Sequence, residues 1–174
     1  MGIQFETDYN METLTAMAKS LRKTVRKKRS RRVHIFAAVV LILGLLTILA
    51  TTAGGEPLGA SGVVTLLAML VVILVSLFED KLNAWFARKR LLPGTEHAVA
   101  TFEEDGYVSA TGVTESRFSY AQIVAVAETA RYFVFALSSH HTQAYDKRTI
   151  RGGSVEDFRA FIAEKTGKPI EKIK

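Results

Sequence analysis

The chain has 174 residues, a formal net charge of +6 and no cysteine, with 48% hydrophobic residues against 23% charged. The absence of cysteine excludes disulfide and thiol chemistry. Nine Lys/Arg and no acid lie between Lys19 and Arg32, while ten basic residues balance ten acids from His97 to the end, so the positive charge is local and nucleic acid drops out as the leading partner.

Ile3 to Tyr9 alternates apolar and polar residues, the mark of a strand with one buried face. A lone strand is unstable and needs a partner. Asn10 is placed to cap a helix, with Glu12 in its first turn where the helix dipole favours an acid. Leu14, Met17, Leu21 and Val25 recur at helical spacing and form a thin apolar stripe. A membrane-surface helix would use such a stripe, but it carries no aromatic residue, which favours packing against a folded domain. The pattern allows this helix to run straight into the apolar run that follows.

That run, Val33–Ala53, holds one ionisable residue, His34, and a second, Leu58–Phe78, holds none. Each is 21 residues long, which as helix at about 1.5 Å per residue covers a hydrocarbon core of about 30 Å. Gly54-Gly55-Glu56-Pro57 between them reads as a tight turn. The expectation is a two-helix transmembrane hairpin. Thr51-Thr52-Ala53 offers small residues for signal cleavage, but the run is too long for a signal peptide and a second run follows it. Basic residues flank both outer ends and only Glu56 lies in the turn, so both termini are expected in the cytoplasm, with the protein multi-pass in the cell membrane. The hydroxyls of Thr47, Thr51, Thr52, Ser61, Thr65 and Ser76 are expected to bond back to their own helices. They make no transport path, which generally needs intramembrane ionisable groups. Gly44 and Ala68 lie at matching depth and are expected to face each other, since small residues permit close helix approach.

Glu79–Leu92 continues in helical pattern until Pro93-Gly94 stops it. Trp85 and Phe86 fall about 10 Å beyond Phe78 along a helix, at the headgroup level, and are expected to anchor the interface. Arg26, Lys27, Lys28, Arg29, Arg31, Arg32, Arg88, Lys89 and Arg90 are the candidate contacts for anionic lipid headgroups, which such clusters attract by about 1 kcal/mol per residue. Their main role is expected to be topological.

From Thr95 the pattern changes to short β-rich runs: His97–Glu103, Gly106–Thr111, Thr114–Phe118, Gln122–Thr129, Tyr132–Ser138 and Thr142–Arg148. Tyr132 to Leu137 is apolar on both faces, so that strand should be covered on both. Ser154, with Asp157 three residues on, caps a helix whose stripe is Val155, Phe158, Phe161 and Ile162 and which Gly167 and Pro169 end. Six strands and a closing helix are one strand short of a pleckstrin-homology-like barrel, and the N-terminal strand could supply the seventh, making the hairpin an insertion. The fold class expected is thus an α+β membrane protein: 1–32 as N-terminal strand and basic helix, 33–78 as hairpin, 79–94 as juxtamembrane helix and 95–174 as a small β-barrel closed by a C-terminal helix.

Phe118-Ser-Tyr-Ala-Gln-Ile-Val, Glu128-Thr-Ala-Arg-Tyr-Phe-Val-Phe, Ala144-Tyr-Asp-Lys-Arg and Ser154-Val-Glu-Asp-Phe-Arg-Ala-Phe resemble the C-terminal domain of the YcxB-like family over roughly Ala98–Thr166. The family usually has a proline before the lysine, where this chain has Asp146. The resemblance implies a membrane-bound, pleckstrin-homology-like domain and supplies no catalytic residue.

No phosphate loop, dinucleotide fingerprint or metal motif is present. Adjacent His140 and His141 read as a solvated loop, Glu103-Glu104-Asp105 as a hairpin turn, and Lys147, Arg148 and Arg151 as a charged loop rather than an anion site. No enzyme activity, cofactor or metal is expected. The leading functional expectation is a membrane-anchored binding or scaffolding module whose β domain recognises a protein or lipid headgroup. The alternative is a small membrane effector, transport-related or toxin-protecting, in which the hairpin is the working part. Membrane lipids are the expected partners, with a protein partner or a second copy of the chain open besides.

Overall fold

The computed structural model describes residues 2–54 and 59–173; the expected turn lies outside the described residues except for Gly54. Strand β1 (Ile3–Asp8) is followed by α1 (Met11–Lys23), α2 (Lys27–Ala53), α3 (Ala60–Leu77) and α4 (Glu79–Lys89). Then come β2 (His97–Phe102), β3 (Tyr107–Thr111), β4 (Glu115–Phe118), β5 (Ala125–Glu128), β6 (Tyr132–Ala136), β7 (Thr142–Asp146), α5 (Val155–Thr166) and β8 (Ile170–Lys172).

The strands make two four-stranded sheets, β1-β2-β3-β4 and β7-β6-β5-β8. The first is antiparallel throughout, with β1 paired along its whole length to β2, from Ile3 opposite Phe102 to Asp8 opposite His97. All four helices before β2 therefore lie in the chain between two neighbouring strands of one sheet. In the second sheet β8, absent from the sequence reading, adds to β5 in parallel.

The sheets do not close into the barrel that the strand count suggested. Between β1 and the β7 side, among the described residues, only Gln4 and Arg151 exchange backbone hydrogen bonds, both 2.9 Å. Where further ladder bonds would lie, β7 turns into a single 3-10 turn, Lys147–Thr149, in which the Asp146 carboxylate accepts from Arg148 N. Side chains take over: Thr149 Oγ1 donates to Glu6 O at 2.7 Å and accepts from Glu6 N at 3.0 Å, while Thr7 Oγ1 accepts from Asp146 N. Asp146, which replaces the proline of the resemblance, thus ends the strand through its side chain.

Between the sheets Phe5, Phe102, Tyr107, Phe133, Phe135, Tyr145, Phe158 and Ile162 form the main core. Helix α5 closes one end, with Ser154 and Asp157 in a reciprocal capping box and Gly167 at φ +62° terminating it in a left-handed conformation that suits glycine. Strand β6 is covered on both faces: its other side packs, with Ala127 and Ala144, against Ala16 and Met17 of α1 and against Ile173. The α1 stripe therefore packs on protein. Helix α1 begins at Asn10, whose Oδ1 accepts from Glu12 N and Thr13 N. It does not run into the apolar helix: Thr24, at φ −104° and ψ −95°, breaks it, and its hydroxyl donates to Ser20 O.

Helices α2 and α3 are long and apolar enough to cross a membrane, and none of either apolar window is buried by the rest of the protein. Apart from Val40 beside Leu41, the half-buried residues of their apolar stretches recur at alternating four- and three-residue steps, Ala37, Leu41, Gly44, Ile48 and Thr51 on α2, and Gly62, Thr65, Met69, Val72 and Ser76 on α3. That spacing marks a narrow helix–helix seam. Gly44 lies on this seam but faces Met69, not Ala68: a Cβ on it would stand 2.8 Å from Met69 Sδ and 3.5 Å from Thr65 Cγ2. Ala68 is exposed. Equal depth fixed the level of the contact; the rotation of α3 about its axis chose the partner. The seam hydroxyls bond backward along their own helices, as in Thr51 to Thr47 O, Thr65 to Ser61 O and Ser76 to Val72 O.

Candidate functional site

Helices α1 and α4 join the apolar hairpin to the β domain. Ala84 is fully buried against α1, and Arg22 forms a two-bond fork to Asp80, Nε to Oδ1 at 2.7 Å and Nη2 to Oδ2 at 2.6 Å. The pairing holds the Arg22 guanidinium above its ordinary pKa, chiefly through those hydrogen bonds. Glu79 lies 3.8 Å from Arg22 and 3.7 Å from His34 Nε2, at the foot of α2.

Of the candidate lipid contacts, Lys27, Lys28, Arg29, Arg31, Arg32, Arg88, Lys89 and Arg90 are exposed. Arg26 is turned to the β domain instead, donating to Ser139 O at 2.6 Å and facing His140 Nδ1 at 2.9 Å, and burial lowers its pKa. Trp85 and Phe86 are exposed, edge to face at 4.9 Å, and Lys89 Nζ sits 3.7 Å above the indole.

The groups considered for anion or metal binding have acidic or structural partners. Lys147 pairs with Glu128 at 2.7 Å, Arg148 with Asp146 at 2.9 Å and Arg151 with Glu6 at 3.0 Å. Glu128 is only 6% exposed and also receives both ends of the Arg159 fork, which with Lys147 holds its carboxyl down to about 2 against the opposing effect of burial. Glu104 pairs with Lys165 and Glu103 with Arg117, around the tight turn closed by Glu103 N to Gly106 O. His140 is held by Arg26, and His141 meets Phe118 edge-on. Among the described residues no three His, Asp or Glu side chains are grouped as for a metal ion.

A different site emerges where the two sheets part. Along the inner face of the first sheet, one half is aromatic: Phe102, Tyr107 and Phe118 lie opposite one another on successive strands. The other half is built of small residues, with Ala100 opposite Ser109, Ala98 opposite Thr111 and Ser109 opposite Ser116. Large rings fill the first half; small side chains leave the second open. The result is a cleft of about 370 Å³ whose far wall is Leu14 and Met17 of α1 with Ala87 and Leu91 at the end of α4, a volume suited to a small ligand.

Gln143 lines this cleft although it is only 6% exposed. Its Oε1 accepts from both the Tyr107 hydroxyl at 2.8 Å and the Tyr145 hydroxyl at 2.7 Å. The other end of the amide has no hydrogen-bond partner among the described residues and opens into the cleft. Burial raises the pKa of Tyr107 and Tyr145 above the ordinary phenol value, and that of Tyr9, at the cleft's edge, to about 12. These phenols stay neutral donors at any physiological pH. Sequence reasoning passed over Gln143 as one more strand residue. Strand parity was the signal: Gln143 shares a face with Tyr145, so a polar amide had to point inward.

Two layered sheets, a capping helix and an apolar helical pair inserted after the first strand define a two-part α+β protein. Residues 102–162 match the family model described as YcxB-like protein, so the chain carries a YcxB-like domain there. No curated protein and no solved structure matches the chain.

Proposed function

We propose that the protein is a membrane-anchored binding module. In this reading α2 and α3 span the bilayer, and the pleckstrin-homology-like β domain lies in the cytoplasm and recognises a protein or lipid headgroup. The observation that carries the reading is the contrast between two apolar helices with nothing covering them and a β domain whose own core is shut. Apolar surface on that scale is stable only in a lipid or protein environment. The β1–β2 pairing supports a common side for both ends, since strands of one sheet cannot lie on opposite faces of a membrane. The exposed collar of Lys27, Lys28, Arg29, Arg31, Arg32, Arg88, Lys89 and Arg90 suits an anionic cytoplasmic leaflet. Among the described residues α3 carries no ionisable group and the apolar part of α2, from Val33 to Ala53, none beyond His34, which favours the β domain as the working part.

Two measurements test this. Carbonate at high pH should leave the protein in the membrane fraction. In intact cells, single cysteines introduced at Lys168 and Ser139 should resist a membrane-impermeant maleimide while one at Glu56 reacts; labelling of all three, or extraction by carbonate, overturns the reading.

A further inference from the structure

We propose that the cleft between the sheets binds an uncharged polyhydroxyl group, the sugar or glycerol end of a lipid or a free polyol. The proposal deepens the reading of the β domain as the binding part and rests on it.

The lining selects by charge first. It contains no Lys, Arg, Asp or Glu; of its two histidines, His140 faces the Arg26 guanidinium, which also donates to Ser139 O, and His141 packs edge-on against Phe118. An anionic headgroup would find no lysine or arginine in the lining, and a cation would find no carboxylate; desolvating either is costly. A purely apolar ligand fails for the opposite reason, because it would seal in the free end of the Gln143 amide. A buried polar group left without a partner is costly, so the occupant must offer hydrogen bonds. Ser109, Ser116 and Thr142 add hydroxyls that make no hydrogen bond among the described residues, and each can donate or accept. Facing them, Leu14, Met17 and Leu91 present an apolar wall for a C–H face. Hydrogen bonds on one side and C–H packing on the other are what a sugar or glycerol unit offers. The wall is made by α1 and α4, which join the hairpin, so a lipid-borne group has a short route from the bilayer.

The test uses the full chain in phosphatidylcholine nanodiscs with its tyrosines replaced by 3-fluorotyrosine. The Tyr9 fluorine resonance is followed during titration with hexyl glucoside, glucose and hexyl phosphate. A saturable shift with hexyl glucoside and none with hexyl phosphate is expected. Equal binding of glucose assigns a free polyol as the source, and binding of hexyl glucoside alone a lipid-borne one. Gln143→Leu should weaken binding about ten-fold or more. Because that change also strips a partner from two tyrosines, Ser116→Leu, which fills the cleft from an exposed position, should do the same while the Tyr120 and Tyr132 resonances stay in place. Binding of hexyl phosphate as tight as hexyl glucoside, no saturable shift with either sugar, or unchanged binding in both variants overturns the proposal. Failure of the anchoring itself would show earlier, as failure of the chain to enter nanodiscs.

Discussion

In the β domain Phe5, Phe133, Phe135 and Phe158 are fully shut away, whereas in α2 Phe36 is 70% exposed and in α3 Leu77 is 73% exposed. The same residue types point inward in one region and outward in the other. Inside the domain the seam between elements is aromatic and wide; between the two apolar helices it includes glycine, threonine and serine. The difference teaches that each region is folded for its own solvent. Water drives the large rings together in the first, while the second leaves its apolar side chains uncovered and meets along a seam of small residues, the packing that suits helices in lipid.

The sharpest way to break this comparison is to empty the domain core. Phe158 packs its ring against Phe5 at 4.6 Å, Phe102 at 4.8 Å and Phe133 at 5.0 Å. Phe158→Ala should cost about 3–5 kcal/mol, read by denaturant unfolding followed through the tyrosines, with the helical signal of the hairpin unchanged. Simultaneous loss of both signals would show that the regions do not fold on separate accounts.

Acid gives the next largest effect. The Glu128 carboxyl is held at about 2 by Arg159 and Lys147 rather than at its ordinary 4.5. Its contribution is present above the unfolded value and lost as pH falls from about 4.5 toward 2, on the order of 3 kcal/mol at ~1.4 kcal/mol for each pH unit of displacement. Unfolding free energy measured down that range should fall in the native chain, and Glu128→Gln should flatten the part due to this group.

Within the hairpin, Gly44→Leu should drive a side chain into Met69 and disturb the seam by about 1–3 kcal/mol, leaving the domain's unfolding curve in place. A cysteine pair at positions 44 and 69 should cross-link in membranes and one at 44 and 68 should not; the reverse result would mean a different helix rotation. The smallest change expected is a gain. Ser20 Oγ, on α1, is buried without a hydrogen-bond partner among the described residues. Ser20→Ala should therefore raise domain stability by about 1 kcal/mol, and a loss instead would reveal a partner for that hydroxyl.

Much of this architecture could be read from residues alone, for identifiable reasons. The two apolar helices declare themselves by length, the six strands from His97 onward by alternation, and α5 by a capping box that depends only on Ser154 and Asp157. The features that escaped depend on distant parts of the chain. Strand β8 is three residues long and exists only because β5 offers it an edge. The gap between β1 and β7 lies beside the turn capped by Asp146, a side-chain contact that strand alternation does not reveal. The cleft arises from a gradient of side-chain size across three strands, and no single segment carries it.

The placement of β1 has a consequence for how the molecule is made. Its first strand leaves the ribosome long before the strand that must receive it, and the two can meet only once everything between has been threaded into place. Such long-range pairing is slow to form. Folding of the β domain thus waits on the far end of a long insertion: until β2 is made and reaches β1, Phe5's place in the core stays empty.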